Sequence, residues 1–119
     1  MKQLQSRQAI KRLFELQCEV CKAMSHPLRL EIVELMNQNE IAATRLLARL
    51  GISKANLSKH MTQLVQTGIA EQRREGRQVF YRLTHPEIHE ACTIMRNIMI
   101  RRIRRHEQLA LSAASLRKR

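Results

Sequence analysis

Between Ile41 and Leu83 the chain reads IAATRLLARLGISKANLSKHMTQLVQTGIAEQRREGRQVFYRL, and three glycines cut this stretch into parts of different period. A short apolar helix of about Ala43 to Leu50 meets Gly51, which can take the left-handed conformation a helix end requires. Ser53 is placed to contribute a helix start, and Leu57, Met61, Leu64 and Val65 recur at the spacing of one buried helical face. Gly68 stops that helix. Two β-rich segments follow, Ile69 to Arg74 and Gln78 to Leu83, joined across Glu75-Gly76-Arg77 where Gly76 supplies a positive φ.

Helix, tight turn, helix and basic hairpin, in that order, make a winged helix-turn-helix, with the paired helices at about 43–67 and the wing at about 69–83. The flanks are helical too. Ile10, Phe14, Cys18 and Cys21, with Leu13 and Met24, form an apolar stripe on a helix of about 3–24. Ser25-His26-Pro27 interrupts it; serine is a good N-cap and proline suits a first turn, so a second helix carrying Leu28, Ile32, Leu35 and Met36 should start there. Asn37 to Glu40 ends it. Pro86 opens a long last helix to about 110, with Ile88, Ala91, Cys92, Met95, Ile98, Met99 and Ile103 at heptad-like spacing.

The expected fold is mainly α (α+β): four helices, two strands and a fifth helix in one domain spanning 1–119. Aromatics amount to 3%, so Leu, Ile, Val, Ala and Met must fill the core, which suits packed helices. The first and last helices carry more apolar surface than so small a winged core can cover. Pairing them with their copies in a homodimer is the economical solution.

Lysine and arginine number 22 against 10 acidic residues, a net charge of +12, and a field of that sign attracts polyanions. No apolar run approaches the roughly 18–20 residues of a membrane span, and MKQLQSRQAI has no signal-peptide core, so the expectation is a cytoplasmic protein without a membrane partner. An enzyme is not expected. There is no Gly-rich phosphate loop or nucleophile elbow, the acids are scattered, and Cys18-x-x-Cys21 lacks the βαβ context of a redox pair.

The exposed chemistry of the second helix of the motif suits a DNA groove. Such a helix lies in the major groove, and its first turns meet base edges. Ser53, Lys54, Asn56, Lys59, His60 and Gln63 are read as outward, with Ser58 and Thr62 between them. Asn and Gln can read adenine, Lys can donate to guanine, and hydroxyls serve base or phosphate. The hairpin adds Arg73, Arg74, Arg77 and Gln78, cations that clamp phosphates or enter a minor groove. The expected partner is a double-stranded DNA operator.

AMSHPLRLEIVELM and LLARLGISKANLSKHMTQLVQTGIAEQRREGRQVFYRL together resemble the ArsR/SmtB family of bacterial winged-helix repressors, from about Ala23 to Leu83 and more loosely through both flanking helices. The resemblance implies a homodimer on a palindromic operator, released when an effector binds. It also shows departures. Where some members carry a Cys-x-Cys metal site, this chain has Ala42 and Thr44. Where others build a zinc site on the last helix, it has His85, Glu87, Ile98 and Arg101, and the last two cannot ligate.

Three cysteines remain. Cys18 and Cys21 lie one helical turn apart, and Cys92 sits in the stripe of the last helix. Three readings stay open: small core hydrophobes, thiols sensing oxidants or reactive sulfur, and candidate ligands for As(III) or another thiophilic ion. Lys22 and the positive field are expected to favour thiolates. His26 reads as structural, and His85 and His89 as surface residues near a helix start. Arg101, Arg102, Arg104, Arg105, Lys118 and Arg119 read as a solvated face or as further phosphate contacts. The competing class is a winged-helix DNA-binding or protein-interaction module that senses nothing and uses its cysteines structurally.

Overall fold

A computed structural model describes residues 6–37 and 39–117. Five helices are present: α1 (Arg7–Met24), α2 (Pro27–Leu35), α3 (Ala43–Leu50), α4 (Lys54–Gln66) and α5 (Glu87–Arg117). Three strands accompany them: β1 (Ile41–Ala42), β2 (Ala70–Glu75) and β3 (Gln78–Leu83). The expected order therefore gains a strand. β1 is two residues long and offers no periodicity to read; it exists because Ile41 and Ala42 pair antiparallel with Tyr81 and Phe80. The sheet order is β1-β3-β2, so the wing hairpin is anchored along one edge to the segment entering α3.

Helix boundaries follow from capping. The start expected near residue 3 lies outside the described residues; α1 is capped by Ser6, whose Oγ accepts from the Ala9 N–H at 3.2 Å. Ser25 does not cap α2, as the sequence suggested. It closes α1, while His26 caps α2 by accepting the Leu28 N–H on Nδ1 at 3.1 Å. With Pro27 at the first helical position, the cap has to be the residue immediately before it. Gly51 sits at φ 64°, ψ 35°, and its N–H bonds the Leu47 carbonyl at 2.9 Å, which ends α3 in the left-handed conformation foreseen for it. α5 outruns the expected end near 110 and continues to Arg117. At about 1.5 Å per residue it is a rod of roughly 46 Å.

The core belongs to the middle of the chain. Ile32, Val33 and Met36 from the α2 region, Leu46 from α3, Leu57, Met61 and Leu64 from α4, and Ile69, Tyr81 and Leu83 from the sheet region form one buried cluster. α1 contributes only Ala23 to the fully buried set, and α5 reaches the cluster through half-buried Ile88 and Cys92. Ile10, Leu13 and Phe14 on α1, and Ile94, Met95, Ile98 and Ile103 on α5, are exposed. No helix among the described residues is long and apolar enough to cross a membrane.

Candidate nucleic-acid interface

α4 is built to show one polar edge. Ser53 Oγ accepts the Asn56 N–H at 3.1 Å, which starts the helix and leaves the Ser53 hydroxyl proton free to donate outward. Leu57, Met61 and Leu64 turn inward, so Lys54, Asn56, Ser58, Lys59, Thr62 and Gln63 are exposed. The first turn holds no acidic residue, so Lys54 adds to the positive end of the helix dipole there. Thr62 is half committed: its hydroxyl donates to the Ser58 carbonyl at 2.8 Å and is left with acceptor capacity only.

His60 departs from the expectation. It is 6% exposed, and its Nδ1 accepts from Arg29 Nε at 3.0 Å. The ring packs 4.7 Å from that of His26. The signal was present in the sequence, because position 60 follows 57 by three and precedes 64 by four, which is the inner face of the helix. Reading His60 by its polarity rather than its phase put it on the wrong side. Burial, then the neighbouring basic groups Arg29, His26 and Lys59, hold its imidazole below the usual histidine range.

The wing turns at Gly76, with φ 61°, between Glu75 and Gln78, which face each other across the ladder. Positive φ at the first loop position alone is the pattern of a type II′ hairpin. Thr84 fastens the base, its Oγ1 donating to the Gly68 carbonyl at 2.6 Å and its N–H to the Ile69 carbonyl at 3.0 Å. Arg73 is not a free cation of this hairpin. Its Nε and Nη2 donate to Glu40 at 2.9 and 2.7 Å, its Nη1 donates to Glu75 at 2.8 Å, and its guanidinium lies 4.6 Å above the Phe80 ring. The hydrogen bond from Arg73 holds the Glu40 carboxyl below its ordinary value, and those carboxylates push Arg73 upward in turn. Arg73 thus braces the wing against the segment before β1, a role that required knowing where Glu40 lies. Arg82 is likewise paired, with Glu71. No carboxylate among the described residues pairs with Arg74 or Arg77.

A groove of about 310 Å³ joins helix to wing. Lys54 and Ser58 of α4 face Arg74, Arg77 and Gln78 across it, over a floor that includes Leu47, Leu57, Val79 and Tyr81. Thr44, in the first turn of α3, completes the rim. Sequence reasoning missed Thr44, noting it only as a position where a sulfur is lacking. Its place beside the wing depends on the pairing of β1 with β3.

The Helix-turn-helix domain family matches residues 24–73. An uncharacterized HTH-type transcriptional regulator of Mycobacterium tuberculosis is 30% identical over 90 residues, which cover 75% of this chain and 79% of the relative. This chain belongs to the helix-turn-helix transcriptional regulators. The crystal structure of that M. tuberculosis protein aligns at a TM-score of 0.70 and 28% identity, covering 79% of this chain and 95% of the other. A biofilm growth-associated repressor of Xylella fastidiosa is 40% identical over 63 residues, 53% of this chain and 55% of the repressor. The solution structure of a homodimeric winged helix-turn-helix DNA-binding domain from Mycobacterium bovis aligns at a TM-score of 0.74 and 24% identity, over 85% and 93% of the two chains, a likeness of fold.

In this regulator the three cysteines occupy two settings. Cys18 and Cys21 are exposed on α1, whereas Cys92 is half-buried against the core. Burial pushes the Cys92 thiol up, against Arg96, which opposes the shift, and with Glu34, which adds to it. The expected shift toward thiolate is therefore reversed at Cys92, because desolvation outweighs the positive field there. No group of three His, Cys, Asp or Glu residues among those described is placed to hold a metal. His89 is also not the surface residue expected. Its Nε2 lies 2.7 Å from Glu34 Oε2, which Arg96 also reaches at 3.1 Å, so this trio ties α5 to α2. Arg101, Arg102, Arg104 and Arg105 are exposed on α5, while Lys118 and Arg119 lie outside the described residues.

Proposed function

We propose that this transcriptional regulator is a homodimeric repressor of ArsR/SmtB type that reads a palindromic operator through α4. In this reading Ser53, Lys54, Asn56, Ser58, Lys59, Thr62 and Gln63 face the major groove. Arg74, Arg77 and Gln78 hold the flanking backbone, with Thr44 beside them. The observation that carries it is the groove where Lys54 and Ser58 meet Arg74 and Arg77, two guanidiniums that no carboxylate among the described residues pairs with. Phosphate is the anion such a surface lacks. His60 and Arg73 are left out, since each is committed within the protein.

The dimer reading is supported by the bare apolar residues on α1 and α5, and a twofold pair sets two copies of α4 against two half-sites about one helical turn apart. For the effector, the one-turn spacing of Cys18 and Cys21 on α1, outside the buried core, favours α1 as the thiol site. Its ligand class is a thiophilic ion such as As(III), or an oxidant or reactive sulfur species. The burial of Cys92 favours a packing role for that residue.

The test is binding to a duplex of the chain's own promoter and to a random duplex across a salt series. Preference for the promoter, with affinity falling steeply as salt rises, is the expected result. Asn56→Ala should remove roughly 1–3 kcal/mol from promoter binding and little from random binding. Equal affinity for both duplexes would instead point to a protein-interaction module. Release by arsenite, cadmium, polysulfide, peroxide or diamide, measured on wild type, C18S/C21S and C92S, then identifies the sensing thiols. Release of C18S/C21S by the same effector as wild type removes α1 from that role.

A further inference from the structure

One guanidinium connects α4 to the last turn of α1. Arg29 on α2 donates through Nε to Nδ1 of His60 at 3.0 Å and through Nη1 to the Ala23 carbonyl at 3.0 Å. Ala23 belongs to the last turn of α1, and His60 to the inner face of α4. The His26 ring stands 4.7 Å from the His60 ring, tilted by 59°, while its own Nδ1 caps α2. Three elements therefore meet at the Arg29 guanidinium.

A guanidinium has donors and no acceptor, so His60 must present an unprotonated Nδ1 and carry its proton on Nε2. Adding the second proton sets N–H against N–H and cation against cation. None of the charged and titratable groups that act on His60 is negative: Arg29 from α2 and Lys59 from α4 itself are cations, and His26 from the α1–α2 joint is an imidazole. No carboxylate among these groups would stabilise an imidazolium. Lys59, the next residue, is exposed on the outer edge of α4, so a rotation that relieves His60 displaces the groups that face DNA.

We propose that His60 is a positioning residue for DNA reading, fixing the rotation of α4 on the α1–α2 joint through Arg29 and releasing it when the imidazole gains a proton. The proposal rests on the assignment of α4 as the reading helix, and it adds a proton-dependent hold on specificity. It also gives α1, the helix assigned to dimerisation, a direct connection to the reading surface.

The measurement is the ratio of promoter to random-duplex affinity as a function of pH. The ratio cancels the general gain in DNA attraction that protonating other histidines brings. For wild type it should fall roughly 10-fold as the pH drops from about 7.5 to below the ordinary histidine range, where burial holds the His60 imidazole; that is the scale of losing one hydrogen bond to a charged group. In His60→Asn the amide oxygen accepts from Arg29 and does not titrate, so the ratio should stay near the wild-type pH 7.5 value throughout. Arg29→Met should show the low ratio at every pH. A His60→Asn profile that follows wild type, or an Arg29→Met ratio equal to wild type at neutral pH, overturns the proposal. A readout on the unaltered protein guards against misfolded variants: the Arg29 Nε–H should be protected from exchange at neutral pH and lose protection as His60 titrates. Rapid exchange at neutral pH, or protection indifferent to His60, overturns it as well. If wild type shows no promoter preference at any pH, the reading of α4 is what fails, and the exchange experiment still judges the Arg29–His60 contact.

Discussion

Leu64 and Phe14 are both large apolar residues on amphipathic helices, yet Leu64 is 0% exposed and Phe14 61%. Leu64 lies in the stretch from α2 to β3, where α2, α3, α4 and the sheet close over one another. Phe14 lies on α1, which with α5 flanks that stretch and packs on it only along a narrow strip. The middle of the chain buries its own apolar side chains, and the flanking helices leave many of theirs exposed. The same division holds for charge. In the middle, Arg29, Arg73 and Arg82 are committed to protein partners while Arg74 and Arg77 remain available. The polar edge of α4 is exposed because its opposite edge is anchored, so in the proposed reading DNA would meet a surface already held in place.

Breaking the middle should cost most. Leu64→Ala empties a fully buried site between α4 and the rest of the core and should lower unfolding free energy by about 3 kcal/mol, read from urea melts. A loss under about 1 kcal/mol would mean the helix–core seam is far looser than its burial implies. Altering an end should act on assembly first. Phe14→Glu places a charge in the stripe assigned to the dimer and should raise the dimer dissociation constant roughly 30-fold or more by sedimentation, with helix content retained. An unchanged dimer would remove α1 from the interface. The smallest effect sharpens the comparison at the start of α4. Ser53→Ala removes the cap to the Asn56 N–H and should cost about 1 kcal/mol in thermal melts, since the hydroxyl starts the helix.

Local chemistry made much of this legible. Gly51 at the end of α3, Ser53 at the start of α4, Gly76 in the wing and the inward run of Leu57, Met61 and Leu64 each act through neighbours within a few residues. Phase would also have placed His60, had its polarity not been weighed above its position. The other departures share a different cause. β1 needs Tyr81 and Phe80, Arg73 needs Glu40, His89 needs Glu34, and the rise at Cys92 needs the burial that packing supplies. Each partner is more than thirty residues away in the chain or is a property of the packed whole.

The sequence by itself determined the succession of helices and wing strands, the polar edge of α4 and the basic turn at Gly76, because capping, glycine conformation and helical period are short-range. Folding alone settled which wing cations are paired with carboxylates and which imidazole is locked inward. It likewise decided which thiol is sheltered, since hydrogen bonding and desolvation depend on groups that folding alone brings within a few ångströms.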